Sequence, residues 1–177
     1  MKFAAINKFA GGLQKTSLSH TFRVHESWLV PGVQSIHIVG IAIIMGSLLM
    51  IFLRILGWAW TDQTLRQTAD RFGPWLIGGL ILQLVTGIVM ILTEPIRELV
   101  DFSFWAKMVA VAIGTALIAV FLVSVPEGEQ QGNALAGRAS VRSLAVVTVV
   151  VFLCIIVLGR LIAYDHIWPW SPATAGY

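Results

Sequence analysis

The chain has 177 residues, of which 57% are hydrophobic and 12% are charged, and its mean hydropathy is +0.83. A chain of this length makes about one domain, and this composition excludes an ordinary soluble globule. The net charge of +3 is small and dispersed, without a run of Lys or Arg, so we expect no nucleic-acid partner.

The segment before the first long apolar run predicts a short amphipathic helix that is capped by Thr16 or Ser17. We expect this helix to lie in the membrane interface, with Pro31 at the start of the next helix. The chain then divides into an N-terminal segment, a transmembrane domain and a short C-terminal tail, at residues 1–30, 31–166 and 167–177.

Four apolar runs are long enough to cross a bilayer, since about 20 residues of helix span its hydrocarbon core. The runs are Val33 to Trp58, Pro74 to Leu92, Phe102 to Val125 and Leu144 to Tyr164. All seven Trp residues fall at the ends of these runs, as in the aromatic belts of membrane proteins. We predict an all-α fold, a four-helix antiparallel transmembrane bundle that has the lipid bilayer as its surroundings.

With four spans, both termini lie on one side of the membrane, which we call face A; the other side is face B. Seven of the 12 Lys and Arg residues fall on face A and five on face B. This excess favours a cytoplasmic N-terminus. We expect a multi-pass protein of the bacterial inner (cell) membrane.

Histidines near face A are the candidates for a redox site. His37 lies about 9 Å along the helix that we expect Pro31 to start, at 1.5 Å per residue, and His166 ends the last span on the same side. Two imidazoles from different helices suit the iron of a b-type haem, so we predict His37 and His166 as metal ligands. His25 is an alternative ligand for either partner, and His20 is expected to be solvated.

Residues around these histidines have two interpretations each. Gly40 and Gly159 would let a flat macrocycle approach the backbone, or would let two helices pack closely. Lys107 and Arg160 would neutralise haem propionates, or would extend to the interface as long basic side chains do. Gln83, in the second span, would make an interhelical hydrogen bond or meet a quinone carbonyl.

Three stretches carry a resemblance to known families: ESWLVPGVQSIHIVGIAIIMGSLLMIFLRILGW, GPWLIGGLILQLVTGIVMILTEPIRE and FSFWAKM. From Glu26 onwards the chain resembles a family of uncharacterised bacterial four-helix membrane proteins. It is more loosely similar to the copper-resistance D membrane domain and to b-type membrane cytochromes. The resemblance implies the four-helix fold. The copper-related likeness implies metal handling, although the chain lacks clustered Met and Cys residues.

The leading hypothesis is a membrane subunit that transfers electrons between the quinol pool and a partner redox protein, with haem b and a quinone as its cofactors. Such a chain would serve an oxidoreductase complex and would not be an enzyme alone; it would act with a redox subunit or as a homo-oligomer. Two alternatives stay open: a cofactor-free scaffold or assembly protein, and a transporter for a metal or small solute.

Overall fold

The computed structural model describes residues 2–100, 102–126, 134 and 137–161, and these residues are mostly helical, without a strand. The four long helices are α3 (Glu26–Leu56), α4 (Leu65–Thr93), α6 (Phe102–Ser124) and α7 (Ala139–Leu161). The short helices are α1 (Lys2–Gln14), α2 (Ser17–Val24) and α5 (Pro95–Val100). Each long helix is long and apolar enough to cross a membrane. The predicted all-α, four-span fold is therefore confirmed, and the protein is a multi-pass membrane protein.

The predicted amphipathic helix is present as α2. Of the two predicted caps the structure uses Thr16, whose hydroxyl oxygen accepts a hydrogen bond from the backbone N–H of Ser19 at 3.4 Å. α3 begins at Glu26 and contains Pro31, so the prediction that Pro31 starts this helix is wrong. Pro31 removes one intrahelical hydrogen bond near the start of α3, and the helix continues on both sides of it. The proposed boundary at residue 31 thus lies inside α3, and the predicted C-terminal tail lies outside the described residues.

The second span also begins earlier than its apolar residues suggest. A capping box starts α4: the Thr64 hydroxyl accepts from the Gln67 N–H at 3.1 Å, and the Gln67 side-chain oxygen accepts from the Thr64 N–H at 2.9 Å. Pro74, the predicted start, lies within the helix. The polar residues that precede Pro74 are therefore helical, and they carry α4 out of the membrane on face B.

A tight loop joins α3 to α4. Gly57 ends α3 with φ of 75°, in the left-handed region that glycine adopts without strain. The buried Arg54 side chain donates from Nε to the Gln63 carbonyl at 2.7 Å. This hydrogen bond fixes the loop to the last turn of α3, and it brings α4 back directly alongside α3.

The long helices form two pairs, because α3 packs against α4 and α6 packs against α7; α3 also contacts α7. The main apolar core lies toward face B and is built from all four long helices: Ile44, Leu48, Ile51, Ile55, Leu65, Ala69, Leu76, Ile118, Val125 and Phe152. A smaller cluster at face A joins Ala10 of α1, Leu99 of α5 and Phe104 of α6. The candidate site lies between these two clusters.

Candidate functional site

The α3–α4 contact determines where the site's side chains meet. A Cβ atom on Gly79 would lie 2.7 Å from Ile44 Cγ1 and 3.4 Å from the Gly40 carbonyl oxygen, so only glycine permits this approach. A Cβ atom on Gly40 would in turn lie 3.2 Å from Gln83 Nε2. Each step of three or four residues toward face A on α3 matches an equal step on α4. This antiparallel register brings Thr86 opposite His37.

The His37 ring is held by Thr86. Its Nδ1 lies 2.6 Å from Thr86 Oγ1, and the same oxygen lies 2.7 Å from the Leu82 carbonyl oxygen. A threonine hydroxyl has a single proton to donate, either to the Leu82 carbonyl or to His37 Nδ1. When the Leu82 carbonyl accepts that proton, Thr86 Oγ1 accepts from His37 Nδ1–H, and Nε2 of His37 carries the lone pair.

A second hydrogen bond from α4 reaches the backbone of the same residue. Gln83 Nε2 donates to the His37 carbonyl oxygen at 2.8 Å. The interhelical hydrogen bond predicted for Gln83 is thus present, and Leu82 also lies within 3.3 Å of the space that a Gly40 side chain would take. At Gly40 the structure therefore shows close helix packing, with the neighbouring space filled by α4.

Lys107 of α6 brings a positive charge to this layer. It lies within electrostatic range of His37 and of Glu98 on α5, and both Lys107 and His37 are partly buried. A Cβ atom on Gly159 of α7 would be 3.9 Å from Lys107 Nζ, an ordinary van der Waals contact, so Gly159 lies beside the lysine chain. The buried Glu98 carboxylate offsets the charge of Lys107 inside the span. We call His37, Gln83, Thr86 and Lys107 the polar layer.

The other predicted site residues lie elsewhere. His25 is exposed between α2 and α3, with its ring centroid 5.7 Å from that of Trp28. Twelve residues of helix separate it from His37, or about 18 Å at 1.5 Å per residue. Two axial ligands must meet at one iron, so His25 and His37 do not form such a pair. Arg160 is exposed beside Gly159, and His166 lies outside the described residues.

Sequence reasoning did not single out Thr86, a member of the polar layer, or Glu98, which lies near Lys107. Thr86 stands on the same stripe of the second span as Gln83, and pairing Gly40 with Gln83 would have placed it opposite His37. Glu98 belongs to a six-residue helix, which is too short to show a periodic pattern.

In the polar layer, His37 Nε2 can accept a proton or a hydrogen bond, or can bind a metal. The Lys107 side chain can donate a hydrogen bond. Among the described residues, no three His, Cys, Asp or Glu side chains are grouped to hold a metal ion. A metal at His37 would therefore need to bring most of its own ligands, as the iron of a haem does.

The chain matches the profile of a family of unknown function (DUF6644) over residues 21–165. The match covers most of the chain, and the protein belongs to this family. This agrees with the predicted resemblance to an uncharacterised family. The comparisons with curated proteins and with solved structures gave no match. The function must therefore be argued from the site.

Proposed function

We propose that the protein is a membrane subunit in which His37 holds a b-type haem that passes electrons between the quinol pool and a partner redox protein. The single observation that carries the proposal is the His37–Thr86 hydrogen bond of 2.6 Å. Metal-bound histidines usually donate their other ring N–H to a neighbouring acceptor, which fixes the ring and its tautomer. Thr86 would accept from His37 Nδ1–H in this way, which would leave Nε2 to bind iron.

The roles of the other candidate residues follow from where the basic side chains lie relative to His37. Lys107 would pair with a haem propionate, and Arg160, next to Gly159, would pair with the other. His166 is the proposed second axial ligand, and His25 could pair only with His166, in place of His37. Bound haem would supply one-electron chemistry. The chain's own residues orient the imidazole and balance charge.

The setting of this function is also part of the proposal. The subunit would lie in a bacterial inner membrane with its N-terminus in the cytoplasm. The excess of basic residues on face A favours this orientation. A redox subunit or a second copy would complete the electron path, since the sequence has no histidine on face B. The looser resemblance to b-type membrane cytochromes points to the same chemistry.

A reduced-minus-oxidised visible spectrum of the full-length protein, expressed with sufficient haem and purified in detergent, tests the proposal. We expect a b-type band that His37→Ala abolishes and that the matched variant His25→Ala leaves intact. Thr86→Val should weaken haem binding about 10–100-fold, as loss of such an orienting partner does elsewhere. A wild-type protein without the band, or a band that survives in His37→Ala, would contradict the proposal.

A cofactor-free scaffold is the second candidate, and a different observation favours it. Both hydrogen bonds at His37 join α3 to α4, and Gln83 fills the space beside Gly40. These contacts can serve helix association alone. If the purified protein shows no haem band while His37→Ala and Thr86→Val lower its melting temperature equally, the scaffold is the better description.

A further inference from the structure

We propose that α1 and α2 form a cationic strap that binds the anionic phospholipid headgroups of the leaflet at face A. The strap is residues 2–25, and the proposal does not depend on haem. Residues 1–25 contain four of the chain's 12 basic residues and none of its nine acidic residues. The rest of the chain therefore carries a net charge of −1, and the excess positive charge of the protein is concentrated in this segment.

Three basic side chains of the strap, those of Lys8, Lys15 and Arg23, are exposed and lack a salt bridge to the described residues. Lys8 lies on one side of α1, and Lys15 directly follows the last residue of that helix, Gln14. Ala10, which is fully buried, lies on the opposite side. The strap thus presents its charges away from the bundle, where an anionic surface attracts them.

Large apolar side chains beside these charges favour lipid over water as the surroundings. Phe9 is 66% exposed, and Leu18, Val24 and Trp28 are each 64% exposed. A helix with exposed basic and apolar groups of this kind binds at the boundary between headgroups and acyl chains. A phospholipid leaflet supplies both the negative charge and the apolar phase.

The strap is also held at the right level. Ala10 packs with Leu99 and Phe104, and α2 packs against α3 and α4 where these helices reach face A. Trp28 lies in the first turn of α3 and marks the interface. The basic side chains are therefore anchored near the headgroups by contacts within the protein.

Three of the five basic residues on face B are arranged differently. Arg66 pairs with Asp70 at 3.0 Å, the guanidinium of Arg71 lies 5.8 Å from the centre of the Phe72 ring, and Arg54 bonds to the α3–α4 loop. These side chains already have partners in the protein. The contrast assigns the lipid-binding charge to face A.

Hydrogen–deuterium exchange of the full-length protein tests the proposal in nanodiscs of zwitterionic phosphatidylcholine alone or with anionic phosphatidylglycerol. We expect backbone amides of residues 2–25 to exchange about tenfold more slowly with the anionic lipid. High salt should remove the difference, because it screens exposed charges. Equal exchange in the two nanodiscs would overturn the proposal, as would equal slowing by inorganic phosphate added to the neutral nanodiscs, which would indicate a free-anion site.

Charge variants separate the strap from the membrane domain. A triple variant with Lys8→Gln, Lys15→Gln and Arg23→Gln should lose the dependence on anionic lipid. The matched face B variant with Arg66→Gln, Arg71→Gln and Arg138→Gln should keep it. A charge-preserving variant with Lys8→Arg, Lys15→Arg and Arg23→Lys should also keep it, which excludes misfolding of the strap as the cause. Retention of the dependence in the Gln variant would refute the proposal.

Discussion

Toward face B the helices meet through apolar side chains such as Leu76 and Ile118, whereas nearer face A α3 and α4 meet through His37, Gln83 and Thr86. Lipid is as apolar as these core side chains, so membrane helices associate through close fit and hydrogen bonds. Nearer face A, two side-chain hydrogen bonds join α3 to α4 in addition to the close fit of the helices. A function is therefore sought in the polar layer.

The largest loss of stability is expected from a substitution at the boundary between the two halves, where α3 and α4 approach closely. Gly79→Val would place side-chain atoms against Ile44, because even a Cβ atom at this position lies 2.7 Å from Ile44 Cγ1. We expect a loss of about 1–3 kcal/mol in the free energy of unfolding, as for overpacked cores. Unfolding by SDS in mixed micelles measures the change.

Gly78→Val is the matched control for this variant. Gly78 is the preceding residue of α4, and a Cβ atom there would meet nothing within 4 Å. The change in helix propensity is the same at both positions, so the difference between the two variants isolates the α3–α4 contact. Equal destabilisation would show that close fit at Gly79 does not hold the two helices together.

A pair of buried threonines compares the two halves directly. The hydroxyls of Thr86 and Thr148 each form a hydrogen bond with the carbonyl one turn earlier in their own helix, but the Thr86 hydroxyl also forms one with His37. Thr86→Val should cost about 0.6 kcal/mol more than Thr148→Val, and at most about 1.7, the range found for hydrogen bonds between membrane helices.

A double-mutant cycle completes this measurement. In a His37→Ala background, Thr86→Val should cost no more than Thr148→Val, because the interhelical partner is gone. A difference between the threonines that persists without His37 would mean that the hydrogen bond does not stabilise the polar layer.

Much of the membrane domain could be predicted from sequence, since apolar run length decides which segments cross a bilayer. Third-span bounds agreed closely, at Phe102 to Val125 predicted and Phe102–Ser124 observed. The starts of α3 and α4 were placed too late because their first turns are not continuously apolar. Proline was read as a helix start in both, although Pro31 and Pro74 lie within the helices.

The site could be predicted only in part. The sequence singled out His37 as a ligand, Lys107 as a positive charge and Gly159 as a small residue near face A. In the structure Lys107 lies close to the other two. The partner of His37 depends on the register between two helices, and apolar periodicity does not specify that register. The packing of α1 against α5 at face A depends on the tertiary contact of Ala10 with Leu99. No local sequence pattern reveals that contact.

The smallest change in the free energy of unfolding is expected on removal of the exposed ion pair on face B. This variant compares a surface charge pair with the polar layer. Arg66 and Asp70 are 3.0 Å apart, with side chains 40% and 59% exposed. Arg66→Gln should change the free energy of unfolding by about 0.3–0.5 kcal/mol, as for exposed pairs one helical turn apart. Added salt should reduce that change further, because salt screens exposed charges. Salt should leave the cost of Thr86→Val unaltered, since a neutral hydrogen bond inside the bundle is not screened. If both costs fall alike with salt, the polar layer is open to solvent, and its distinction from the surface fails.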